Sequence, residues 1–209
     1  MPKIVDHDQR RAEICDAVLG LIARGGSRTV TTRSVAKATG WSAGTVSHYF
    51  DSRDELVLGA LRRAAELHEQ ELGRLLADRG LAPMEKLHLA IRATLPIDER
   101  GVALTRVFLD YYADAANCAA VHAEVMRCLV RWRGLIERLV EGCKDDGSIV
   151  SSRDSATLAV ELVALTDGFA LHALLDRAFM DRLVENDGIR IGFLDDTWHP
   201  IESGVGRVS

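Results

Sequence analysis

Residues 31–50 read T-T-R-S-V-A-K-A-T-G-W-S-A-G-T-V-S-H-Y-F, and two short helices fit onto them without strain. Thr31 or Thr32 offers a hydroxyl N-cap for a helix running to Thr39, and Gly40 supplies the left-handed residue that stops it. Two residues later Ser42 is the N-cap of a second helix over 43–49. Two short helices joined by a tight Gly-containing turn form a helix-turn-helix. Val35 and Ala36 pack the first helix inward, and Val46 and Phe50 anchor the second. That leaves Ser42, Ala43, Gly44, Thr45, Ser47, His48 and Tyr49 for the exposed side and leading end. Small and hydroxylated residues there permit close entry into a DNA major groove, where hydroxyl and imidazole groups meet bases or phosphates. The spacing alone also fits an ordinary αα-hairpin.

Working outward, Ile14, Val18, Leu21 and Ile22 recur at helical spacing, so residues 8–24 form an amphipathic helix that Gly25 and Gly26 stop. Downstream, S-R-D-E at 52–55 is a capping box opening a long helix to about residue 78, with Val57, Leu61, Ala64, His68, Leu72 and Leu75 along one stripe. Pro83 suits the first turn of a helix over 83–94, which Pro96 ends. Further helices are expected over 99–116 and 118–144, and a last one over 153–180 capped by Ser152. The Gly- and Pro-containing final thirty residues are the least regular, with 189–193 able to extend. The expectation is an all-α chain: a three-helix helix-turn-helix domain at 1–53, and a larger helical body at 54–209 joined to it by the helix 52–78.

The 209 residues, 47% hydrophobic and 27% charged, suffice for a folded core. Apolar runs fall far short of the ~20 residues that span a bilayer, and the first 20 residues carry charge throughout, unlike a secretory leader. Membrane insertion is not expected, and a cytoplasmic location is. Net charge is −5, yet residues 24–53 hold 5 Lys/Arg against 1 Asp/Glu. A basic patch on an acidic body points to a local anionic partner. The four cysteines form no C-x-x-C pair, and the seven histidines form no i, i+4 pair. Buried thiols are expected, with no metal site and no cofactor. Walker A, G-x-S-x-G, H-E-x-x-H and G-x-G-x-x-G motifs are absent, which argues against an enzyme.

The segment 31–56, with G-W-S-A-G-T-V-S-H-Y-F-D-S-R-D-E-L at its heart, closely resembles the DNA-binding signature of TetR-family regulators. Gly40, Ser42, Gly44, Val46, Tyr49, Phe50, Arg53 and Leu56 fill the places of that pattern. Ser47 stands where many members carry Tyr, and Arg53 where Lys is usual. The S-H-Y-F ending and the D-G-F-A-L segment at 167–171 look like the BetI-type branch, which regulates choline–betaine genes in some bacteria. The resemblance implies a homodimer whose recognition helices read a palindromic double-stranded operator, through Thr31, Thr32, Arg33, Ser42, Ala43, Gly44, Thr45, Ser47, His48, Tyr49 and Arg53. It also implies that 54–209 binds a small-molecule effector and dimerises through a four-helix interface, most simply as a repressor released by its ligand. An activator, or a DNA binder of this fold without an effector, is the alternative.

The C-terminal half fits that expectation. The helical stretch 156–175 is apolar all round, with Leu158, Leu162, Leu165 and Phe169 on one side and Val160, Val163, Ala164, Leu171 and Leu174 on the other. A helix apolar on every face must be buried on every face, either in one chain's core or between two copies. The second side is the candidate dimer seam. Arg106, Phe108, Tyr111, Tyr112, His122, Trp132, Phe169 and His172 mix aromatic and polar edges and are the candidate pocket residues. Phe108, Tyr111, Tyr112 and Trp132 could form an aromatic cage for a quaternary ammonium group. Asp167 and Glu161, inside the apolar helix, either pair with a cation or line the cavity.

Overall fold

The computed structural model describes residues 7–176 and residue 178. Eight α-helices follow one another within them: α1 (His7–Gly25), α2 (Thr32–Thr39), α3 (Ala43–Tyr49), α4 (Arg53–Leu76), α5 (Pro83–Arg92), α6 (Glu99–Ala115), α7 (Ala119–Asp145) and α8 (Ser155–Leu175). A single 3-10 turn, Ser27–Thr29, links α1 to α2, and no strand occurs among the described residues. The region 189–193, expected to extend, lies outside them.

Local chemistry sets the helix ends. The Thr31 hydroxyl accepts from the Ser34 amide while the Ser34 hydroxyl takes the Thr31 amide, a reciprocal cap on α2. Gly40, at φ 73°, stops α2 in the left-handed conformation that favours glycine. Ser42 accepts from the Thr45 amide at 3.0 Å and starts α3. Ser52 caps α4 through the Glu55 amide, but Glu55 reaches back to the Asp51 amide rather than to Ser52. At the last helix the expectation fails: the N-cap is Asp154, whose carboxylate takes both the amide and the hydroxyl of Thr157. A carboxylate at a helix N-terminus gains from the dipole as well as the hydrogen bond, and α8 accordingly starts at Ser155, not at 153.

Two buried clusters organise the molecule. The first joins Ile14, Val18 and Ile22 of α1 to Val35, Val46, Phe50, Leu56 and Leu61, and continues into Val107 and Tyr111 of α6 and Val121 and Val125 of α7. The N-terminal head therefore shares its core with the body. The second joins Leu72, Leu87, Ile91, Ile136, Val140, Leu158 and Leu162. In the first, Cys15 packs so tightly beside Gly59 and Phe50 that burial pushes its thiol up to about 11. Tyr111, wholly buried, sends its hydroxyl to the Val57 carbonyl at 2.7 Å, tying α6 to the second turn of α4.

Among the described residues α8 is the one helix long and apolar enough to cross a membrane by length and composition. Its packing gives that composition another meaning. Leu158, Ala159, Leu162, Val163, Thr166, Ala170 and Ala173 face the chain's own core, while Val160, Ala164, Leu171 and Leu175 lie on the outer side.

Candidate nucleic-acid interface and effector cavity

Helix α3 leaves the surface nearly bare of bulk at its leading end. Ser42, Ala43, Gly44, Ser47 and His48 are exposed and Thr45 is half-buried. Thr31 and Arg33 are exposed and Thr32 is half-buried at the start of α2, beside the same face. Tyr49 departs from expectation. Only 8% of it is exposed, because its ring is wedged between His48, edge-on at 5.3 Å, and His7 of α1 at 5.6 Å. The first turns of α1 also hold both ends of α3. The Arg11 guanidinium lies 4.3 Å from the centre of the Phe50 ring and donates to the Tyr49 carbonyl at 2.6 Å, while Arg10 covers Trp41 at 5.2 Å. Arg53, the first residue of α4, is not a free cation: its guanidinium donates to the Ser27 carbonyl at 2.8 Å and pairs with Asp54.

Deeper in the body, α4, α6, α7 and α8 enclose a largely apolar cavity of about 500 Å³. Phe108 and Tyr112 of α6, Trp132 of α7 and His68 of α4 supply its rings, and the His68 and Trp132 rings meet edge-on at 5.8 Å. Asp167 of α8 is its half-buried acid. The Tyr112 hydroxyl donates to Asp167 Oδ2 at 3.3 Å. Desolvation lifts the Asp167 carboxyl above the usual carboxylate range, against the opposing pull of that hydrogen bond and of the Arg133 charge. The Tyr112 hydroxyl is likewise pushed up, first by burial and then by the Asp167 charge. At the rim, Glu69 of α4 pairs with Arg131 of α7. About two turns away, Glu124 receives Arg62 at 2.9 Å and also Arg127.

Residues 14–60 match the bacterial regulatory proteins of the tetR family, and residues 83–186 match the BetI-type transcriptional repressor C-terminal domain. The regulator PksA of Bacillus subtilis is 31% identical over 189 residues, covering 88% of each chain. This chain belongs to the TetR family of transcriptional regulators. The regulator BetI of Rhizobium meliloti is 26% identical over 180 residues, covering 85% of this chain and 84% of its own. In fold, a transcriptional regulator from Saccharomonospora viridis, solved in complex with choline, superposes with a TM-score of 0.75 at 22% identity, over 86% of this chain and 97% of that one.

Within this TetR-family chain the expected pocket residues separate sharply. Phe108, Tyr112 and Trp132 line the cavity. Tyr111 does not: one residue along α6 turns it about 100°, into the core and onto Val57. Arg106, His122 and His172 lie exposed on the outside of their helices, and Phe169 packs against the second core cluster without reaching the cavity wall. On α8, Val163 belongs to the chain's own core and Leu174 is half-buried, whereas Val160 and Leu171 are 44% and 42% exposed and Ala164 is exposed with them. Glu161 pairs with Arg153 of its own chain. His68, Glu69 and Arg131 were not foreseen in the cavity, although His68 sits in the apolar stripe of α4, where a polar residue signals a buried polar surface. Arg10 and Arg11 were also missed; a charged pair in the first turns of α1 carries no signal until α3 is seen beside it.

Proposed function

We propose that this regulator acts in the cytoplasm as a homodimeric repressor that holds a palindromic operator and lets it go when a small cation enters the cavity. The continuity of α4 supports this best. One helix begins at Arg53, beside α3, and carries His68 and Glu69 into the cavity wall, so occupancy of the body bears on the attitude of the head. In the duplex, Thr45, Ser47 and His48 face base edges, while Thr31, Thr32, Arg33 and Arg53 meet phosphates, which position without reading sequence. The outer stripe of α8, Val160, Ala164, Leu171 and Leu175, packs against the same stripe of a second copy. A self-complementary patch of this kind generates a two-fold dimer, whose two α3 helices then reach half-sites about 34–36 Å apart.

The chemistry of the cavity selects the effector's charge. A desolvated carboxylate is best satisfied by a cation, and the rings of Phe108, Tyr112 and Trp132 present faces that attract one. The choline bound by the Saccharomonospora viridis regulator makes a quaternary ammonium alcohol the first compound to try. Choline is titrated into the full-length protein while unfolding temperature and operator binding are followed. The expected result is a raised unfolding temperature and a released operator, since ligand at 100 times its dissociation constant adds about 2.7 kcal/mol. Stabilisation by anionic compounds and not by cations would overturn the assignment of charge.

A further inference from the structure

Ser27 occupies an unusual position. It is buried in the turn between α1 and α2, and both of its peptide groups are engaged by charged side chains from other elements. Its amide donates to Asp110 Oδ2 of α6 at 2.5 Å, and its carbonyl accepts from the Arg53 guanidinium of α4 at 2.8 Å. Gly26, at φ +76°, makes room for this: a Cβ there would stand 3.1 Å from the same Asp110 oxygen. A carboxylate of the body thus reaches a guanidinium at the head through one residue, by way of the two peptide groups that flank the Ser27 Cα.

Asp110 also lies on the side of α6 away from the cavity. Thr105, Phe108, Leu109 and Tyr112 line the cavity, and at 100° per residue Asp110 points roughly opposite to their mean direction. A ligand pressing on one face of α6 therefore displaces the carboxylate on the other. We propose that Asp110, through the Ser27 peptide, is a positioning residue for Arg53, so that α6 sets how firmly the head grips the DNA backbone. The proposal rests on Arg53 being a phosphate contact. Ser27 holds the guanidinium by one of its five N–H groups and Asp54 takes a second at 3.5 Å, which restrains it and leaves the remainder for phosphate oxygens. Charge-assisted bonds of this kind are the strong ones.

Simple electrostatics predicts the opposite sign, which makes the test decisive. A carboxylate near a DNA-binding face repels the duplex, so its removal should tighten binding. The strut predicts loosening. The probe is a duplex enriched by the wild-type full-length protein from a randomised library, with affinity measured across a series of salt concentrations. Asp110→Ala is expected to weaken binding about tenfold, the scale of one charged hydrogen bond, and to lower the log–log salt slope by about 0.9, as Arg53→Ala does. The double variant should bind no worse than Arg53→Ala alone. Asp110→Asn, which removes the charge but keeps an oxygen for the Ser27 amide, should stay near wild type in slope. Tighter binding by Asp110→Ala, an unchanged slope, or additive losses in the double variant each overturn the strut. An Arg53→Ala protein with an unchanged slope overturns the phosphate contact itself, and the strut with it. If Asp110→Ala does not fold, Asp110→Glu, which keeps the charge and displaces the acceptor, is read on the same scale, and an unchanged slope overturns the proposal.

Discussion

A methyl group added at Gly59, where the head meets α4, would stand 2.8 Å from a Phe50 ring carbon and 3.2 Å from the Cys15 sulfur. Less than two turns along the same helix, Ala65 borders a cavity of about 500 Å³. One end of α4 is packed to the limit and the other is left open. The contrast matches two tasks: a surface that reads a fixed groove gains from having one conformation, whereas a receptor must leave room and hold an unsatisfied group ready. The polar groups divide likewise. In the head, Thr31, Ser42, Ser52 and the Arg11 clamp are satisfied within a few residues or by α1; in the body, Asp167 is half-buried and takes one long hydrogen bond from Tyr112.

The largest effect should come where the body is unfinished on its outside. Leu171→Glu places a charge in the outer stripe of α8 and should convert a dimer to a folded monomer, halving the mass seen by sedimentation and abolishing tight operator binding. Leu162→Glu, on the inner side and 1% exposed, should instead prevent folding of the body. A Leu171→Glu protein that stays dimeric would falsify the assignment of that face.

Next, the packing contrast itself can be measured. Gly59→Ala should destabilise by about 1–3 kcal/mol, the usual range for overpacking, whereas the larger change Ala65→Leu should shift stability by less than about 1 kcal/mol because the cavity takes the side chain. Chemical denaturation of both variants is the check; equal losses would erase the distinction between the two ends of α4.

A smaller, pH-dependent effect belongs to Asp167. Its carboxyl is raised in the folded chain, so its contribution to stability is fully present below the ordinary unfolded value of about 3.9 and is lost as pH rises through the higher folded value. Asp167→Asn should therefore unfold at a higher temperature than wild type at pH 7, the gap closing as pH falls below 4. A gap that widens toward acid would mean that the carboxylate is held by a cation. Smallest of all, Arg153→Ala should cost no more than about 1 kcal/mol, since its pair with Glu161 is partly exposed to water.

The same contrast explains which parts of the molecule were legible from sequence. Caps and turns are local: Thr31, Ser42 and Ser52 act on amides three residues away and Gly40 stops α2 by its own φ, so α2, α3 and the start of α4 emerge from the letters alone. The cavity is assembled from four helices separated by up to a hundred residues, and membership depends on helical phase. Tyr111 and Tyr112 are adjacent and chemically identical, yet one binds Val57 and the other Asp167. Tyr49 was misread for a related reason, since its burial depends on His7 of α1 arriving from outside the motif. Both sides of α8 are apolar, so composition could not say which faced inward, and Val163 fell on the wrong side. Its start was misplaced because Ser152 and Asp154 are both acceptable caps, and only Asp154 receives the Thr157 amide.

The thiol of Cys15, closed in beneath Phe50 and raised to about 11, has a further consequence for what the head can sense. At pH 7 only about one molecule in ten thousand carries the reactive thiolate there. Peroxides and electrophiles that inform other regulators through a reactive cysteine find no foothold at this position, so the grip of the head on its operator is insulated at Cys15 from the oxidative state of the cell.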